Sequence, residues 1–113
     1  AGRWAGVGVR LARARGWGGF QALFYCHRAV ALLKMGRTAA AARCRSRAAQ
    51  TADPADRWVP AWLARVDGLL ALAQGDRAAA EGFLEESQRR FLKIGSRYDA
   101  RQVGADLIRR VPA

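Results

Sequence analysis

The chain has 113 residues, a formal net charge of +11 and 51% apolar side chains, which suits one domain with a modest core. Its apolar runs fall short of the roughly 18 residues that a membrane helix needs. Its first residues spread their arginines too evenly for a secretory signal, so a cytoplasmic protein without a membrane partner is expected. The chain opens without methionine and in mid-pattern, as expected of a piece of a longer protein.

With 25 alanines and 18 arginines, both good helix formers, the chain reads as helical throughout. Trp4, Val7, Leu11 and Ala14 are spaced as a helix face, although Gly2, Gly6 and Gly8 each weaken it by about 1 kcal/mol relative to alanine. The expectation is a short helix over 7–15, then a break at Gly16, Gly18 and Gly19. Residues 20–35 form the most apolar helix. Phe20, Phe24, His27, Ala31 and Met35 make one face, widened by Leu23, Val30 and Leu33. Such a helix packs on more than one side. Gly36 ends it, and Lys34 suits the negative end of its dipole. A return helix follows over 38–52, capped by Thr38, with Ala41, Cys44, Ala48 and Ala52 keeping one side small.

Asp53-Pro54-Ala55-Asp56 reads as a turn, with Asp53 as N-cap, Pro54 at the first helical position and Asp56 completing a box-like pair. The next helix runs from about Ala55 or Arg57 to Gln74. One stripe is Trp58, Trp62, Val66, Leu69 and Ala73, and a second is Val59, Leu63 and Leu70. Gly75 closes it and Asp76 caps the next, whose inner face is Ala80, Phe83, Leu84, Ser87, Phe91 and Ile94. On its outside, Glu85–Arg89 and Glu86–Arg90 have the favourable i,i+4 order. Gly95 ends that helix. Ser96 and Asp99 are candidate caps of a terminal helix over 98–111, with Val103, Leu107 and Val111 on one face and Pro112 as its stop.

Gly36 and Gly75 stand 39 residues apart, each ending an apolar helix and preceding an alanine cluster. Gly36, Ala41 and Ala48 align with Gly75, Ala80 and Ser87. This pattern resembles the tetratricopeptide repeat. The family's small residue seven positions before the inter-helix turn is matched by Ala29 and Gly68. Its small residue in the second helix is matched by Ala41 and Ala80, and its later alanine by Ala48, with Ser87 in the second unit. Pro54 lies near the family's proline. Ala71, Arg45 and Leu84 stand where larger or aromatic groups are common, and the unit exceeds the usual length of about 34 residues. Residues 69–110, and 91–103 above all, also resemble the helical repeats at the C-terminal end of large bacterial transcriptional regulators. The resemblance implies an all-α fold of antiparallel hairpins, over about 20–52 and 57–94 plus the terminal helix, stacked as a right-handed superhelical array in one domain. It also implies a concave surface that binds effectors or neighbouring domains.

Chemistry-bearing constellations are scarce. His27 is the only histidine, and adjacent Cys26 points about 100° away on a helix. Cys26 and Cys44 read as small buried thiols. No CxxC pair, phosphate-binding glycine loop or nucleophile elbow is present. No catalytic residue, metal or cofactor is expected. Asp67, inside an apolar helix, is a candidate for a groove contact or for an ion pair with Arg28 or Arg65. The expected function is therefore a protein-interaction module binding a peptide or another domain of its parent chain, with Tyr25, His27, Arg28, Trp58, Trp62 and Asp67 as groove candidates.

The charge offers an alternative. Residues 1–52 carry ten basic side chains and no acidic one, whereas 53–113 carry ten basic and nine acidic. A basic half of this kind suits nucleic acid, an acidic protein surface or a solvated face. Under the nucleic-acid reading, Arg37, Arg43, Arg45 and Arg47 are the candidate phosphate contacts.

Overall fold

The computed structural model describes residues 18–110. They form α1 (Gly18–Lys34), α2 (Thr38–Thr51), α3 (Trp58–Ala73), α4 (Arg77–Lys93) and α5 (Arg97–Arg110), with no strand among the described residues. The fold is all-α, built from stacked antiparallel hairpins. α1 packs on α2 and α3, α3 also packs on α2 and α4, and α5 packs on α4. The expected helix over 7–15, Gly16 and residues 111–113 lie outside the described residues.

Three turns share one hydrogen-bond pattern, set by glycine. Gly36, Gly75 and Gly95 have φ of 75°, 81° and 83°. The next residue's N–H reaches back to the carbonyl of Leu32, Ala71 or Phe91, at 2.9, 2.9 and 2.8 Å. The glycine's own N–H reaches Leu33, Leu72 or Leu92 at 3.0–3.1 Å. This is the Schellman closure, which satisfies carbonyls left over at a helix end. A Cβ at Gly75 would meet nothing within 4 Å, so its replacement costs backbone strain alone. Gly75→Ala is expected to lower stability by about 1 kcal/mol, readable as a lower urea midpoint with an unchanged slope.

Beyond each turn comes a fully or nearly buried alanine: Ala41, Ala80 and Ala100. Small residues bring α1 and α2 together, with Ala22, Cys26 and Ala29 facing Ala41, Cys44 and Ala48, all buried. As its broad apolar circumference implies, α1 packs on both α2 and α3. Of the expected face of Phe20, Phe24, His27, Ala31 and Met35, the two ends are open, with Phe20 56% and Met35 61% exposed, while Phe24 packs against the core. Phe83 on α4 is likewise 39% exposed, because the seam against α3 runs through Ala80, Leu84, Ser87 and Phe91.

Helix starts differ in detail from expectation. α1 begins at Gly18 rather than after a glycine break, since glycine's entropy cost is small against burial of the helix that follows. Thr38 is already helical and makes no cap; Arg37 holds that position without a side-chain bond. Asp53 Oδ1 instead accepts from Ala55 N at 2.9 Å, shaping the turn. It is Asp56 that caps α3, accepting from Trp58 N and Val59 N at 2.8 and 3.3 Å. Asp76 caps α4 through Ala79 N at 3.1 Å. Ser96 donates its hydroxyl to Asp99 Oδ2 at 2.6 Å. Of the two expected pairs on α4, Glu86–Arg90 forms at 3.0 Å; Glu85–Arg89 is absent among the described ion pairs.

Polar links tie the layers. Ser87, fully buried, donates to the Ala61 carbonyl at 2.8 Å, joining α4 to α3. Gln88 Nε2 donates to the Ala100 carbonyl at 3.2 Å, joining α4 to α5. Both cysteines are buried and unbridged.

Candidate functional site: the groove between α1, α3 and α5

The C-terminal half of α1, one side of α3 and the first turns of α5 enclose a groove of about 500 Å³. α1 supplies His27, Val30, Ala31, Lys34 and Met35, α3 supplies Trp62 and Arg65, and α5 supplies Tyr98, Asp99 and Gln102. Its floor is organised by Trp62. This ring meets Phe91 edge-on at 5.6 Å and carries His27 on one side at 4.1 Å between centroids. The Arg65 guanidinium lies 5.4 Å from the Trp62 ring centre, within cation–π range.

Arg65 is held in turn by Asp106 of α5, at 2.9 Å from Nε to Oδ2. Both side chains are largely shielded, at 8% and 13% exposure. The wall made by α5 is thereby fastened to the floor made by α3. His27 lines the groove with its ring tilted 47° against Trp62. Desolvation there lowers its pKa from the usual histidine value; Asp99 opposes the shift and Arg65 adds to it. Near pH 7 the imidazole is accordingly neutral and offers the groove both a donor and an acceptor.

Of the groove residues expected from the sequence, His27 and Trp62 are brought together here. Tyr25 is in the core, 8% exposed. Arg28 is half-buried beside the groove and does not line it. Trp58 lies farther along, with Phe20, Leu23 and Asp56 around a shallow cleft of about 320 Å³, and 6.4 Å from the Phe91 ring. Asp67 points away from the groove. It accepts two bonds from Arg45 of α2, at 2.8 and 3.1 Å, so its partner is Arg45 rather than Arg28 or Arg65.

That bidentate pair also changes the phosphate candidates. The Asp67 hydrogen bond raises the pKa of Arg45 and outweighs partial burial, and its guanidinium is committed within the fold. Arg37, Arg43 and Arg47 are exposed. The groove residues that sequence reasoning missed are Arg65, Tyr98, Asp99 and Gln102. Tyr98, Asp99 and Gln102 recur at helical spacing on α5, but nothing local shows that this face turns toward α1.

Burial pushes the Cys26 thiol up to about 12, the nearby Arg45 charge only partly offsetting it, so it stays protonated. Among the described residues no group of three histidine, cysteine or acidic side chains is placed to hold a metal ion. No described helix is long and apolar enough to cross a membrane.

No family model, curated protein or solved structure matches the chain.

Proposed function

We propose that this chain is a non-enzymatic interaction module, a tetratricopeptide-like array that seats a peptide or a neighbouring domain in the α1–α3–α5 groove. The observation that supports this reading is the apolar side of α1 made by Val30, Ala31 and Met35, which lines the groove opposite the polar groups of α3 and α5. Binding sites combine an apolar lining with a few convergent polar groups in this way, and exposed apolar surface in a concavity marks an interaction site. The resemblance to regulator repeats adds a context, a cytoplasmic bacterial regulator whose own domains or effector peptides are the partners.

The test is selection of binders from a displayed peptide library on the intact chain, followed by measurement against a Met35→Ala/Tyr98→Ala variant. Met35 and Tyr98 are 61% and 71% exposed, so the fold tolerates both changes. Selected peptides are expected to lose at least about 10-fold in affinity, since truncating a central aromatic or thioether anchor costs roughly 1–2 kcal/mol. Equal binding to both proteins would remove the groove from consideration.

A further inference from the structure

A second surface stands apart from the groove, on the outer face of α2. It carries Arg43 and Arg47 at i,i+4, with Ser46 and Gln50 beside them, all exposed; Arg37, also exposed, lies in the turn before the helix. Like charges at this spacing destabilise a helix. The same like-charge spacing recurs at Arg89–Lys93 on α4 and Arg97–Arg101 on α5, but those helices also carry carboxylates, whereas α2 carries none. No carboxylate lies within the ion-pair limit of 4.0 Å from Arg37, Arg43 or Arg47 among the described residues. The chain's acidic side chains all lie between Asp53 and Asp106, and the one that reaches α2, Asp67, is taken by Arg45. The repulsion on α2 is therefore left without an internal counter-charge.

The rest of that face distinguishes among anionic partners. Its remaining exposed residues include Ala39, Ala42 and Ala49. It has no large apolar side chain to enter a bilayer, as an interfacial helix requires. It has no aromatic or aliphatic anchor to serve as the centre of a protein interface. It has no ring on which an unpaired base could stack. What it offers is guanidinium forks beside small side chains that let a backbone come close, together with a serine and a glutamine as further donors. Groups of this type make the positioning contacts to phosphate oxygens.

We infer that the outer face of α2 binds the sugar–phosphate backbone of a nucleic-acid duplex without reading its sequence, through Arg43 and Arg47. This site is independent of the groove. The Met35→Ala/Tyr98→Ala variant keeps it, so failure of either reading leaves the other standing.

The test is fluorescence anisotropy of the full 113-residue chain with a random-sequence DNA duplex at 50 and 200 mM salt. With two phosphates neutralised, affinity is expected to fall roughly 12-fold across that range. Arg43→Gln/Arg47→Gln removes both contacts and with them most of the salt dependence, with weaker binding at the lower salt. Its melting temperature is expected to equal or exceed that of the parent, because a like-charge pair has gone, which separates lost binding from lost folding. Arg97→Gln/Arg101→Gln removes the same charge from exposed positions on α5 and is expected to retain most of the parent's binding and its salt dependence. Equal losses in the two double variants would reduce the effect to net charge and overturn the inference. So would polyglutamate binding as tightly as the duplex with the same dependence on Arg43 and Arg47, which would assign the face to acidic protein.

Discussion

Gly68→Val is expected to cost about 3 kcal/mol, the upper part of the range for forcing extra atoms into a packed core. A Cβ at this position would lie 2.6 Å from Leu84 Cγ, 2.7 Å from its Cδ2 and 3.3 Å from the Ala80 carbonyl oxygen. Leu84 is fully buried and has nowhere to swing, and the carbonyl belongs to the α4 backbone. The strain must therefore separate α3 from α4. Gly68→Ala costs less, because alanine regains roughly 1 kcal/mol of helix propensity over glycine. Removing the obstruction supplies the control. Leu84→Ala alone loses about 2–5 kcal/mol through its cavity, but in that background Gly68→Ala becomes neutral or stabilising. Urea midpoints of the four proteins measure the coupling. Simple addition of the two single effects would mean that Leu84 is not what Gly68 makes room for.

Asp106→Ala is the second large effect, a loss of about 3 kcal/mol, as for removing one partner of a buried pair. It leaves the Arg65 guanidinium, in a residue 6% exposed, without its counter-charge. An exposed pair would cost about 1 kcal/mol or less, so the size of the loss reports the burial. The damage is expected to be local first. α5 has α4 for its main packing partner and is fastened to α3 by this pair. Amide exchange in α5 should rise before that of α1–α4, and selected groove peptides should weaken as Tyr98, Asp99 and Gln102 lose their placement. Arg65→Met/Asp106→Leu replaces the pair with apolar groups of similar length, and stability should return to near the parent value. Uniform exchange across all five helices would show that α5 does not open on its own.

These two sites were unequally visible beforehand. Gly68 stands seven residues before the Gly75 turn, in a place where the repeat resemblance implies a small residue. Arg65 and Asp106 are 41 residues apart, and no periodicity links them. The same contrast runs through the charged residues. The acid-free first half was plain, but Arg45 looked no different from Arg43 and Arg47. Only the passage of α3 beneath α2 puts Asp67 within 2.8 Å of one and not the others.

The apolar stripe of α1 is the most instructive difference. Its residues have proper helical spacing, yet α1 is apolar over so much of its circumference that periodicity cannot choose a core side. The choice fell to packing. Ala22, Cys26 and Ala29 permit a close approach to α2 that Phe20, Phe24 and Met35 would prevent. Of the stripe, His27, Ala31 and Met35 line the groove, Phe20 lines the separate cleft beside Trp58, and Phe24 packs against the core.

By itself, the sequence determined the helices, their three glycine turns and the small residues at the seams. These depend on local hydrogen bonding, on the backbone freedom of glycine and on side-chain size, all of which are written within a few residues. The tertiary structure alone decided which face of α1 meets solvent, which arginines are spent on internal carboxylates and where α5 closes the groove. Those outcomes come from contacts between residues 22 and 41 positions apart, where competing packings have similar local propensity and differ only in what they bury.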